Sequence, residues 1–169
     1  KGQERVDSVD AARAAWERMG GVACVLEQRL ALQLEVSVVV CRGRDGAAAT
    51  FPVAENEHRG GILAVSLAPA RLPPQVAARA AEIARKLASA LDYVGVLCVE
   101  MFYVAADRLL VNEIAPRPHN SGHLTIDACA VSQFEQQVRA LAGMPLGSPA
   151  QLVPAVMLNV LGDLWFRSG

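Results

Sequence analysis

The stretch VGVLCVEMFYVAADRLLVNEIA, residues 94–115, holds two apolar runs around a three-residue break. "VGVLCVEMFYV" (94–104) and "RLLVNEIA" (108–115) are dense in β-branched, aromatic and other apolar residues, and "AAD" supplies a turn, so the spacing predicts an antiparallel hairpin. Glu100 is the only charge in the first arm, and Glu113 is the only charge in "LLVNEIA". Charged residues are rarely buried unless paired or bound to metal. With the turn centred near Ala106 and Asp107, Glu100 faces Glu113. Opposed residues bring their Cβ atoms to about 4.5–5.5 Å, where like charges destabilise a sheet. A shared cation removes that repulsion. Magnesium suits the geometry, taking carboxylate oxygens from protein and completing its octahedron with water and phosphate. The adjacent Asn112 offers an amide oxygen. A structural ion pair is the alternative, with Arg108 or Arg117 as the counterion, or one carboxylate turned to solvent.

The next segment, "APRPHNSGH" (115–123), concentrates polar chemistry in an otherwise apolar chain. Pro116 and Pro118 hold Arg117 and His119 in extended, pre-set directions at low entropic cost, and Gly122 permits a tight return. An arginine fork matches a small planar oxyanion such as carboxylate or bicarbonate, and His119 and Asn120 add donors near the same point. The four-residue spacing of His119 and His123 fits zinc only on a helix, which Asn120-Ser121-Gly122 argues against.

Working outward, "SVDAARAAWERM" (8–19) reads as a capped helix stopped by Gly20-Gly21. "VACVLEQ" (22–28) and "LQLEVSVVVCR" (32–42) read as strands. "GRDG" (43–46) is a turn, and "AAATFPVA" (47–54) is the returning arm. "ILAVSLAP" (62–69) is a further strand. In residues 73–92, Val76, Ala80, Ile83, Leu87 and Leu91 form one stripe of an amphipathic helix opened by proline. Residues 132–143 form another helix, with Ser132 as its cap and Glu135 three positions on, and a last strand lies near 154–162. The pattern is α+β, a mainly antiparallel sheet with helices laid on one face.

Of the 169 residues, 53% are hydrophobic, enough for a core. No apolar run reaches about 18 residues, so no membrane span is expected, and no secretory leader is visible. Sixteen basic residues against seventeen acidic ones, with no basic run, argue against nucleic acid as a partner. Cys24, Cys41, Cys98 and Cys129 are widely spaced without a C-x-x-C pair, and the first three lie in apolar runs. They are expected as buried, reduced thiols, pointing to the cytoplasm. Trp16 and Trp165 are expected to pack, and Arg42 and Arg44, flanking a turn, to be solvated. The start at "KGQERV" and the end at "DLWFRSG" lead to the expectation of an internal segment of a longer protein.

"NEIAPRPHNSGHLT" together with "SQFEQQVRA" resembles the signature of ATP-grasp enzymes of purine biosynthesis, and within them the 5-(carboxyamino)imidazole ribonucleotide synthase family. "KGQ" (1–3) is similar to the tail of that family's glycine-rich loop. "VLEQRLALQLEVSVVVCRGRDG" (25–46), "PVAENEHRGGIL" (52–63) and "DYVGVLCVEMF" (92–102) extend the likeness. The resemblance implies an ATP-grasp fold using ATP and Mg2+, with 1–145 as a partial ATP-grasp domain and 146–169 as the start of a small C-terminal domain. It implies carboxylation of 5-aminoimidazole ribonucleotide with bicarbonate, in a cytoplasmic homodimer. By motif, Lys1, Gly2 and Gln3 belong to the phosphate loop; Glu27, Gln28, Arg29 and Leu30 read adenine; Glu35 binds the ribose and His58 the nucleotide. Glu100 and Glu113 hold the metal with Asn112 beside them, and Arg117, His119 and Asn120 seat bicarbonate. A formate-using sister ligase and an inert nucleotide-binding lobe are the competing readings. The likeness covers about half of such an enzyme, so the 169-residue chain alone is expected to be inactive.

Overall fold

The computed structural model describes residues 2–105 and 107–162. Lys1 and Trp165, both singled out above, lie outside the described residues. The chain divides into two compact units, residues 1–30 and 31–169.

In the first unit, helix α1 spans Val9–Arg18, and the Ser8 hydroxyl accepts the Ala11 N–H at 3.1 Å, capping it. Gly20 and Gly21, with φ of +81° and +68°, end it as expected. The strand expected over 22–28 does not form. Residues 22–30 carry no ladder, and Val25 and Leu26 are 85% and 79% exposed. A strand needs a neighbour to take its N–H and C=O groups, and this unit supplies none. Cys24 is consequently exposed rather than buried. Trp16 packs against Gly21 and donates its indole N–H to the Val22 carbonyl at 2.8 Å.

The second unit is built on one sheet. Its strands are β1 (Leu32–Arg42), β2 (Ala48–Thr50), β3 (Ala54–Arg59), β4 (Ile62–Ala68), β5 (Gly95–Val104), β6 (Arg108–Ala115) and β7 (Ala155–Leu158). The spatial order is β6-β5-β1-β3-β4-β7, with β2 also on β1, and every pairing is antiparallel. The expected returning arm over 47–54 is thus two strands. Phe51-Pro52 interrupts the run, and the chain resumes as β3, whose polar "AENEHR" carried no apolar signal.

Helices flank both faces of this sheet, not the single face expected. On one face Val36, Val38, Val40, Leu97, Val99, Met101 and Tyr103 meet α2 (Pro74–Ala90). The helix presents Val76, Ala80, Ala84 and Ala88, a row of small residues that lets it sit close. Leu91, expected on its apolar stripe, is 53% exposed beyond its end. On the other face Val39, Cys41, Val96, Cys98 and Cys129 meet Ala140 of α4 (Gln133–Leu141). Burial on both sides explains why β1 reads "VSVVVC" with little alternation. Arg42 is not solvated: its guanidinium is mostly buried, 2.7 Å from Asp92 and donating to the Tyr93 carbonyl. No helix among the described residues is long and apolar enough to cross a membrane.

The tight α2–sheet seam makes a stability prediction. Ala84→Leu forces added volume into a contact with no room and should destabilise by about 1–3 kcal/mol. Ala78→Leu, on the exposed side, should stay within about 0.5 kcal/mol. Urea unfolding midpoints of the two variants check this.

Candidate active site

Glu100 and Glu113 are direct register partners across β5 and β6, as the hairpin arithmetic required. The route differs from the expected one. Near the turn Val104 pairs with Arg108 and Met101 with Val111, a half-residue earlier than assumed, and a bulge then inserts Asn112 before Glu113. Leu109 and Val111 lie opposite Tyr103 and Met101, on the α2 side of the sheet. Unbroken alternation would put residue 113 on that side too. The extra residue turns Glu113 to the opposite face, in one row with Glu100 and with Ser37 of β1.

The polar loop lies over this face. Glu100 is largely buried, and its counterion is His119, not Arg108: His119 Nε2 is 3.0 Å from Glu100 Oε1. The imidazole Nδ1 lies 2.9 Å from Ser121 Oγ. The His119 backbone is held at both ends by the buried Gln133 side chain of α4, whose Oε1 accepts the N–H at 2.9 Å and whose Nε2 donates to the C=O at 2.7 Å. Arg117 is exposed; one N–H donates to the Pro118 carbonyl, which leaves the rest of the fork available. Asn120 opens a 3-10 turn, Asn120–Gly122, followed by the short helix α3, Thr125–Ala128. The loop expectation missed both. The turn has too few residues to show a period, and α3 has no side-chain cap to mark its start; the Thr125 hydroxyl instead donates back to the Gly122 carbonyl at 2.6 Å.

His58 of β3 and Glu35 of β1, expected on the nucleotide, are half-buried and meet each other on the same face, the His58 Nδ1 against a Glu35 carboxylate oxygen. His58 and Arg117 are near enough to Glu100 to favour its carboxylate, more weakly than His119 does. The structure therefore brings together Glu35, His58, Glu100, Glu113, Arg117 and His119. Gly2, Gln3, Glu27, Gln28 and Arg29 are exposed, and Leu30 half-buried, in the first unit. His123 lies against Phe134, ring centroids 5.6 Å apart and planes tilted by 42°; among the described residues no three metal-binding side chains cluster.

Hydrogen bonding from His119 lowers the Glu100 carboxyl below its ordinary range, against the opposing effect of burial. Cys98, then Glu100, raise His119 to about 10.

Sequence reasoning missed the polar side chains beneath the site: Ser37, Asn56, Ser66 and Ser121 are all buried. A signal existed for Ser37, the one polar residue inside "VSVVVC".

Comparison with known proteins identifies relatives of the fold. The ATP-grasp domain family model matches residues 1–134. The N5-carboxyaminoimidazole ribonucleotide synthase of Bacillus subtilis is 51% identical over 140 residues, covering 83% of this chain and 37% of that protein. The Brucella melitensis protein of the same name is 48% identical over 165 residues, covering 96% and 46%. An ADP complex of N5-carboxyaminoimidazole ribonucleotide synthetase superposes with a TM-score of 0.89 at 44% identity, over 94% of this chain and 42% of that one. The Aspergillus clavatus synthase in complex with ADP and 5-aminoimidazole ribonucleotide gives 0.85 at 34% identity, over 94% and 43%. The chain spans less than half the length of these relatives.

The Glu100–His119 pair predicts a pH window for stability. Glu100, lowered on folding, contributes above its ordinary value of 4.5, and that contribution is lost as pH falls. His119, raised on folding, contributes fully below 6.5 and loses its contribution as pH climbs through about 10. The stability difference between wild type and His119→Gln in metal-free buffer should peak between those two ordinary values. Urea unfolding across the pH range measures it, and a flat difference contradicts the pair.

Proposed function

The chain belongs to the ATP-grasp domain family, and we propose that the full protein is an ATP-dependent ligase that carboxylates 5-aminoimidazole ribonucleotide with bicarbonate. The observation that carries this reading is the placement of the His119–Glu100 pair and Arg117 beside the Glu100–Glu113 carboxylate pair on one sheet face. A carboxylate pair serves phosphoryl transfer, and a guanidinium with an imidazole serves a small anion. The relatives' names, and one relative's complex with ADP and the ribonucleotide, support the same substrates.

In this reading a bicarbonate oxygen attacks the γ-phosphorus of ATP and ADP departs, leaving carboxyphosphate. The amine of the ribonucleotide then attacks the carboxyl carbon, phosphate leaves, and the nitrogen loses a proton. Arg117 and Asn120 hydrogen-bond the bicarbonate so that its oxygen faces the phosphate, and His119, whose two ring nitrogens are engaged by Glu100 and Ser121, helps seat the anion as a neighbouring positive charge. Their hydrogen bonds follow the negative charge as it moves, so most of the rate enhancement is positioning and electrostatics. In this reading Glu35 binds the ribose and His58 the nucleotide, and their contact with each other on the sheet supports a shared role. Residues 1–3 and 27–30 take the phosphate-loop and adenine roles by resemblance.

Glu100 and Glu113, with Asn112 at the bulge, fit Mg2+. It is commonly held by one or two carboxylates with water and substrate phosphates, and these two residues are direct neighbours. When bound it supplies charge neutralisation on the phosphates. The boundary near residue 145, a homodimeric assembly and a cytoplasmic location with four free thiols complete the proposal.

The test is ADP release by the full protein with magnesium and bicarbonate, with and without 5-aminoimidazole ribonucleotide. The ribonucleotide should stimulate release strongly, and Arg117→Ala and Glu113→Gln should each lose about 10²-fold or more in kcat. Release indifferent to the ribonucleotide would refute this substrate.

A further inference from the structure

A continuous chain of hydrogen bonds runs under the sheet face and ends on the His119 ring. Ser66 of β4 donates its hydroxyl to Asn56 Oδ1 at 2.8 Å. Asn56 Nδ2, on β3, donates to Ser37 Oγ of β1 at 2.9 Å. Ser37 donates to Ser121 Oγ at 2.8 Å, and Ser121 Oγ lies 2.9 Å from His119 Nδ1. The far nitrogen of the same ring meets Glu100 at 3.0 Å. Ser66 is 0% exposed, Ser37 and Ser121 are 1% and Asn56 is 6%.

We infer that Ser37 and Asn56 are positioning residues for His119, and that this buried chain sets the plane of its imidazole toward Glu100. The inference rests on the reading that His119 seats the anion.

The chain has a direction that follows from its chemistry. Ser66 donates to the Asn56 oxygen, so the NH2 end of the amide faces Ser37. Ser37 Oγ accepts there, which sends its own proton on to Ser121. Buried polar groups are costly unless every one is satisfied. A sheet face needing only to pack would carry apolar side chains, as β1 does at Val39 on the same side. Instead the polar residue stands in the row of Glu100 and Glu113, and the chain terminates on a ring nitrogen in the site. Gln133 fixes the His119 backbone but leaves rotation about the side-chain bonds; the Ser121 and Glu100 contacts at the two nitrogens remove it.

The test uses the full protein. Ser37→Ala deletes a link, Ser37→Thr restores the hydroxyl, and Asn56→Asp keeps the shape while drawing the Ser37 proton backward. Circular dichroism verifies folding, and should Ser37→Ala not fold, the near-isosteric Asn56→Asp carries the test. Ser37→Ala and Asn56→Asp should lower kcat by about 10–100-fold with KM for ATP unchanged, and Ser37→Thr should recover most of it. The 15N signals of the His119 ring, assigned by their absence in His119→Gln, should shift in both damaging variants. Ring signals identical to wild type in both would overturn the inference. Shifted signals with unaltered turnover would uphold the chain's hold on the ring and instead refute the role of His119 in the reaction.

Discussion

The pairing of β1 with β5, from Leu34–Tyr103 to Arg42–Gly95, is the constraint on which the remaining structure depends. It places two of the most apolar segments side by side at the centre of the sheet, buried from above and below. Once this ladder is set, alternation sends Val36, Val38, Val40, Leu97 and Val99 to α2, and Glu35, Ser37, Cys98 and Glu100 to the other face. The site is thus the polar end of a face whose other end is an apolar core. Low dielectric around Glu100 and His119 is a consequence of that neighbourhood, and it makes their pairing matter.

Much of this was legible in the residues. The hairpin over 94–115, β1, β4, α1 and α2 followed from apolar period and end signals; counting also put Glu100 opposite Glu113, but the structure reaches that pairing through a bulge the count did not contain. The strand expected at 22–28 shows the limit of that reasoning. Its residues have the right composition, but a ladder is a property of two segments, and the first unit holds only one. β3 fails in the other direction. "AENEHR" has little strand character by composition, yet β1 and β4 flank it and supply its ladder partners.

Helix α4 was harder still. Its core-facing residues are Gln133, Gln136 and Ala140, while Phe134, Val138 and Leu141 are outside at 39%, 63% and 50% exposure. Amphipathic reasoning would turn the helix over. The glutamines are inside because they complete main-chain hydrogen bonding that no strand or helix provides. Gln133 clasps His119 and Gln136 clasps Gly147, each through both ends of its amide. Gly122 belongs to the same arrangement, since a Cβ there would lie 2.5 Å from Gln133 Oε1.

The bulge at Asn112 makes the length of β6 as informative as its letters. The strand contains two reading frames: residues nearer the turn are phased by the core under α2, and residues after Asn112 by the opposite face. Loss of a single residue between them would merge the frames and exchange the sidedness of Glu113 and Ile114 while leaving the hairpin intact. Substitutions in this strand can therefore be absorbed one at a time, whereas an insertion or deletion of one position inverts its chemistry as a block. Related sequences should be aligned here with gaps treated as more disruptive than mismatches.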